Sequence, residues 1–372
     1  MIFLLMTLLG LDHPQQLQFN LEMSIGSEEG DEHLIFSGHA LFSVQPDGQL
    51  AVLDCGNKRL LLFSEKGAFL REAGGEGEGP GEFSGPSEIT SDQAGNIYVF
   101  DAQALKINVY NSRGDYAKTL PLPLGVVAVL QPNVLPGGNL VFTTVQMDSN
   151  QQQIYRLALY NAQGEPRKTI LNIPQPVLDW QNSGSSSFWV EFLRNHLEGV
   201  GRGFPLAAST GKGFVTLQTN KYSGSLWDGE GKDIGSFFRE IRPRIMSDEI
   251  KQWLCEETYQ KVAGSGGVSQ FLPHSVFLKA MATADLPVTI NPISALFSRG
   301  SGFGVLANYD PITHQGRVEL FNEKGQYQQG GVFVGLASTV KWSQNKWYTL
   351  GENEAGVLVL SRYAVTGAMD LD

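Results

Sequence analysis

Charge, cysteine and long apolar runs are all scarce in this sequence, and each shortage excludes something. Only 17% of its 372 residues are charged, too few for a disordered charge-rich chain or a long coiled coil. No Lys/Arg cluster exceeds a pair such as Lys58–Arg59, and the net charge is −11. Binding along a nucleic-acid backbone needs cations that replace counterions, so nucleic acid is not expected as a partner. The two cysteines, Cys55 and Cys255, have no CxxC spacing. Neither a zinc site nor a disulfide framework can be read from them, and one bridge or two separate thiols both stay open.

The six histidines form no HxH, HxxxH or HExxH pair, and no nucleophile elbow, Walker loop or dinucleotide fingerprint occurs in its proper context. The glycine-rich "GSGFG" (Gly300–Gly304) leads into a strand rather than a helix. No catalytic residue, metal or cofactor is therefore expected. The one strongly apolar run, Ile2–Leu11, is too short to span a bilayer. Within residues 1–18 it reads as the core of a shortened export signal, or else as an apolar arm, since a basic flank and a small-residue cleavage site are missing. An exported, periplasmic or envelope location is the expectation.

What is abundant is apolar residues, at 42%, and glycine, at 43 residues, which together predict a large core and many turns. Internal repetition organises them. "DGQLAVLDCGNKRLLLFSEKGAFLREAG" (Asp47–Gly74) aligns with "QAGNIYVFDAQALKINVYNSRGDYAKTL" (Gln93–Leu120), pairing Gly48 with Gly95, Asp54 with Asp101, Phe63 with Tyr110 and Gly67 with Gly114. Each unit reads as strands bounded by turns. An aromatic residue followed four positions later by glycine marks the end of a third strand, where glycine tolerates positive φ. Phe63/Gly67, Tyr110/Gly114, Tyr160/Gly164, Trp227/Gly231, Phe321/Gly325 and Tyr363/Gly367 give six such marks.

Six repeats predict an all-β, six-bladed β-propeller spanning residues 19–372. Little chain follows Gly367, so "FNLEMSIG" (Phe19–Gly26) is predicted to complete the last blade and close the ring. A seventh blade is rejected because "SDEIKQWLCEETYQKVAG" (Ser247–Gly264) has helical spacing, with Ser247 as its cap and acidic residues in its first turn. Two insertions, 173–203 and 243–290, each carrying a helix, leave from connections between an outer strand and the next inner strand. The glycine-rich connection after Ala73 does the same, which places all three on one face.

The stretch "GGEGEGPGEFSGPSEITSDQAGNIYVFD" (Gly74–Asp101) resembles the NHL-type six-bladed propellers, in which a G-x-G-P-G-x-F loop precedes the inner strand. Pro80, Gly81, Phe83, Pro86, Ile89, Asp92, Gly95, Asn96, Tyr98, Val99 and Asp101 occupy the matching positions. The resemblance is strong over Phe42–Leu120, persists only as spacing beyond it, and is absent from the insertions. It implies a fold marker rather than a catalytic motif.

Asp54 and Asp101 are expected to cap loop amides, and Glu76, Glu78 and Glu82 to form a solvated acidic loop. The insertions hold half of the six tryptophans. In one reading their aromatics pack helices; in the other they anchor a ligand or partner. Trp180, Trp189, Arg194, His196, Arg202, Lys221, Tyr222 and Trp253 are the candidate binding residues, their cations suiting an anionic ligand or acidic surface. The leading expectation is a non-catalytic scaffold holding a protein partner or ligand on this face. Its alternative is a lactonase-like, metal-dependent hydrolase or lyase, with His39, His196, His274 and His314 converging from separate blades on the channel mouth.

Overall fold

The structure is a computed structural model that describes residues 16–148, 152–242, 244–264, 273–286 and 288–367. The apolar run Ile2–Leu11 lies outside these residues. After β1 (Gln18–Ile25) come five sheets of four consecutive strands. The first comprises β2 (Ala40–Val44), β3 (Leu50–Asp54), β4 (Arg59–Phe63) and β5 (Phe69–Gly74). The second comprises β6 (Pro86–Ser91), β7 (Ile97–Asp101), β8 (Lys106–Tyr110) and β9 (Tyr116–Pro121). The third holds β10 (Val126–Val134), β11 (Leu140–Met147), β12 (Gln153–Tyr160) and β13 (Pro166–Pro174). β14 (Pro205–Ser209), β15 (Gly213–Gln218), β16 (Ser223–Asp228) and β17 (Asp233–Phe238) form the fourth. β18 (Ile293–Arg299), β19 (Gly302–Asp310), β20 (Gln315–Phe321) and β21 (Tyr327–Val334) form the fifth.

The sixth blade takes β22 (Thr339–Ser343), β23 (Lys346–Glu352) and β24 (Leu358–Thr366) from the end of the chain and β1 from its beginning. β1 runs antiparallel to β24 from the Gln18–Thr366 pair to the Ile25–Leu360 pair. Glu22 fixes the seam by pairing with Lys346 at 2.7 Å and Arg362 at 3.1 Å. The predicted all-β, six-bladed ring with N-terminal closure is thus the observed one. β2, β6, β10, β14, β18 and β22 neighbour one another around the central axis.

Alternation along these strands sends one set of side chains into each gap between blades, and six separate apolar clusters fill the gaps. Between the second and third blades, Phe142 stacks on Tyr160 at 4.1 Å and meets Phe100 edge-on at 5.3 Å. Between the fifth and sixth, Trp347 is fully buried against Phe297 at 5.0 Å and Phe333 at 5.6 Å. Phe19 from β1 reaches the same cluster, 6.1 Å from Trp347, so closure is apolar as well as hydrogen-bonded.

Five of the six aromatic-glycine marks sit at the turns before the outer strands, and the sixth glycine, Gly367, directly follows β24. Their glycines have φ of 82°, 81°, 82°, 78°, 74° and 80°, a region that side chains with a Cβ resist. In the connection between the first two blades, Phe83 is fully buried in the inter-blade core. A Cβ on Gly74, itself at φ 77°, would stand 2.2 Å from the Phe83 ring. The run of glycines is there because the chain must fold back over an aromatic plug.

Among the described residues, three α-helices interrupt the ring: α1 (Ser186–Arg202), α2 (Asp248–Gly264) and α3 (His274–Thr283). Ser185 Oγ accepts from the Phe188 N–H at 3.2 Å, and Ser247 Oγ accepts from Ile250 N–H at 3.3 Å, starting α1 and α2 as N-caps do. α3 falls within the predicted second insertion but was not expected as a helix. Phe188, Trp189 and Leu193 of α1, Cys255 of α2, and Val276, Phe277 and Ala280 of α3 bury one another in a cluster separate from the six blade cores. The neck of the second insertion is closed by an Ile245–Thr289 bridge. Cys55 and Cys255 are both buried free thiols. No described helix is long and apolar enough to cross a membrane.

Candidate functional site

The connections that carry the helices all leave from one face of the disc. The candidate residues divide there according to how the insertions pack. Trp189 is buried in the helical cluster, its indole N–H donating to Ser183 O at 2.8 Å. Tyr222 is buried between the fourth and fifth blades, where its hydroxyl donates to Glu319 at 2.6 Å. Both are therefore packing residues, because neither ring has surface left for a partner. Burial beside the Glu319 carboxylate raises the Tyr222 hydroxyl far above the ordinary tyrosine range.

Trp253 stands outward on α2 at 38% exposure, Lys221 is exposed, and Arg194 is half-buried. Trp180 lies in a short 3-10 turn, and His196 and Arg202 lie in α1, but their side chains fall outside the described atoms. Of the other insertion cations, Arg244 pairs with Asp310. Arg239, just before the second insertion, pairs with Glu319 at 2.7 Å and lies 3.8 Å over the Tyr327 ring. These charges bind the base of the cap to the fifth blade.

The buried aspartates at strand ends behave as caps. Asp101 accepts from the N–H groups of Ser84, Gly85 and Ala104 at 2.7, 3.0 and 2.9 Å. Asp54 accepts from Ser37 N–H at 3.0 Å and from Arg59 Nε at 3.0 Å. Its donors outweigh burial and hold its carboxyl below the usual range. Asp310 closes the matching strand of the fifth blade, accepting from Ile312 N–H at 2.8 Å.

A second feature lies at the axis. The inner strands enclose a channel of about 1040 Å³, open to residues at both ends of those strands. Among the described residues its charged lining consists of Glu88, Asp92, Arg299 and Lys341. Lys341 sits mid-strand on β22, where Val340 and Trp342 turn into the blade core and Lys341 turns inward. Glu88 follows a bulge in β6 that re-aims its side chain. Its Oε1 accepts from the backbone N–H of Gln131 at 3.2 Å. Gln131 lies within an irregularity of β10 at φ 49°, strained for a residue with a Cβ.

Burial at the centre of the disc pushes the Glu88 carboxyl up to about 7, against the pull of Lys341 and the backbone N–H groups of Gln131 and Ile89. The same burial holds the Lys341 ammonium below the ordinary lysine range, with Glu88 opposing it. No direct ion pair or hydrogen bond joins the two, and both side chains keep exposure to the channel. Neither residue stood out in the sequence. The signal was a charged residue in a blade's first strand, in "PSEIT" and "TVKWS", but its inward orientation depends on a bulge in one case.

Among the described residues, no histidine lines the channel. His39 and His274 are exposed, and His314 lies 3.3 Å from the Tyr309 hydroxyl. Among the described residues, no three of histidine, cysteine, aspartate and glutamate come together as a metal site would require.

A family model described as a 6-bladed beta-propeller (DUF5128) matches residues 31–178. No curated protein matches the sequence. Among solved structures, a Bacteroides fragilis protein described as exported superimposes with a TM-score of 0.52 at 13% identity, covering 95% of this chain and 97% of that one. Virginiamycin B lyase from Staphylococcus aureus aligns at 0.41 and 8% identity, covering 93% and 98%. A gluconolactonase from Xanthomonas campestris aligns at 0.41 and 12% identity, covering 93% and 87%. At such identities the likeness concerns the fold.

Proposed function

We propose that this protein is a non-catalytic, NHL-like propeller scaffold that holds a partner protein on its helix-capped face. The observation that carries this reading is how the cap uses its apolar residues. The three helices bury one set against each other, yet Trp253, Leu278 and Ile245 remain outward at 38%, 46% and 73% exposure. An outward tryptophan on a rigid support is a usual anchor of a protein interface, and exposed aliphatic residues beside it extend the apolar area. The ring supplies the support, and Arg239 and Arg244 tie the base of the cap to the fifth blade. The apolar run Ile2–Leu11 and the fold shared with a protein described as exported support a place in the envelope or outside the cell.

The test compares proteins cross-linked to wild type and to Trp253→Ala and Leu278→Ala in cells that make the protein. One specific partner, recovered at stoichiometric level with wild type and lost with both variants, is the expected result. Retention by the variants, or metal-dependent hydrolase or lyase turnover by the purified protein, would overturn the scaffold reading in favour of chemistry at the channel mouth.

A further inference from the structure

We propose that the central channel is a binding site, independent of the capped face, for a small polyhydroxylated carboxylate such as a sugar acid. The ligand's carboxylate would pair with the Lys341 ammonium, and its hydroxyls would donate to Glu88.

The argument starts from the cost of the arrangement. Two opposite charges brought into the centre of a protein without touching lose hydration and recover little of it from each other. A fold that needed only to fill its axis would gain by placing neutral side chains there. Here the pair is instead supported by local distortion. A bulge in β6 precedes Glu88, and β10 departs from regular pairing so that Gln131, at positive φ, aims its N–H at the Glu88 carboxylate. Strain of this kind costs about 1–3 kcal/mol and clusters where a site must be held in place.

The remaining lining narrows the ligand class. Asp92 is already engaged by Asn96, Tyr98 and loop amides, and Arg299 lies 5.4 Å from the Trp342 ring centre. Lys341 is left with no hydrogen bond or ion pair among the described residues, so the site asks for a single negative charge. The channel wall also carries hydroxyls, among them Thr90, Ser298 and Thr339, beside apolar residues such as Leu130 and Leu296, a mixture that suits the hydroxyls and the C–H faces of a sugar acid. The Gln131 Oε1 atom is buried without a partner beside them. At about 1040 Å³ the channel has room for a mono- or disaccharide with water.

The experiment titrates the full chain with glucuronate, galacturonate, gluconate and galactonate, and with neutral glucose and galactose, by calorimetry. Intrinsic tryptophan fluorescence is recorded in parallel, because Trp342 follows Lys341 in β22 at the edge of the channel wall. At least one acid should bind at least about tenfold more tightly than its neutral sugar, the loss expected from one ion pair of roughly 1.4 kcal/mol. Lys341→Gln should abolish that preference, Lys341→Arg should keep it, and Glu88→Gln should weaken acid and neutral sugar alike. The proposal fails if no acid binds up to roughly 10 mM. It fails equally if acid and neutral sugar bind alike, or if folded Lys341→Gln binds as wild type does. Should Lys341→Gln not fold, the acid preference and tryptophan response of wild type and Lys341→Arg decide the matter. Loss of cap-dependent partner capture would leave these outcomes untouched.

Discussion

The two faces of the disc follow different rules. On the face that carries the turns before the outer strands, the aromatic-glycine turns repeat one geometry, with glycine φ between 74° and 82°. On the opposite face the connections into each new blade share almost nothing. One is a glycine-rich return over Phe83, one passes through Gly125 alone of the positive-φ glycines, and two swell into the helical cap. The uniform face is what the ring requires of every blade, whereas the variable face is free to carry residues the ring does not need. Trp253 and Leu278 belong to that second group.

This contrast can be broken most forcefully at Phe83, a residue of the variable face that nonetheless serves the ring. Phe83→Ala should cost about 3–5 kcal/mol, the usual loss for a buried phenylalanine, read as a shift in the denaturant midpoint. A cost below 1 kcal/mol would mean that the glycine-rich connection does not plug the core.

The channel lies between the faces and should betray itself through pH. Burial keeps Glu88 protonated up to about 7 in the folded protein, while the unfolded carboxyl loses its proton near 4.5. The folded state therefore binds the extra proton between these values. That stability is complete below 4.5 and is lost as pH rises to 7, by at most about 3 kcal/mol. Chemical denaturation of wild type at pH 5 and pH 8 should show the decline, and Glu88→Gln should flatten it. An unchanged slope in the variant would place the titration elsewhere.

A smaller effect sharpens the comparison of glycines. Gly67→Ala meets φ 82° and a Met23 sulfur 2.8 Å from the new Cβ. It should cost about 1–2 kcal/mol. Gly184 in the first insertion has neither a positive φ nor an atom within 4 Å of a new Cβ. Gly184→Ala should be neutral or slightly stabilising, and thermal melts of the pair would test both. Smallest of all, Trp253→Ala should shift stability by less than about 1 kcal/mol, its effect being confined to partner capture.

Much of the fold was legible because it is written locally. The marks Phe63/Gly67 through Phe321/Gly325 need only a short window, and each reports a turn whose backbone glycine accepts. Closure by Phe19–Gly26 followed by counting strands. The cap was only half legible. α2 showed its cap and spacing, but α3, in "HSVFLKAMAT", buries only Val276, Phe277 and Ala280 and leaves Leu278 outward, so its apolar residues do not mark a single buried face. Trp189 in an insertion and Tyr222 in a loop of the fourth blade read as binding anchors because an aromatic residue outside a strand looks the same whether it faces water or packs inside. Only their neighbours distinguish the two.

By itself the sequence determined the number of blades, the turns that join their strands, and the strand that closes the ring, since periodicity and glycine φ act within a few residues. The tertiary structure decided which side chains meet. Glu88 and Lys341 belong to the second and sixth blades and come together only because the ring closes. Their protonation then depends on burial at the axis, a property of the whole disc that no local stretch contains.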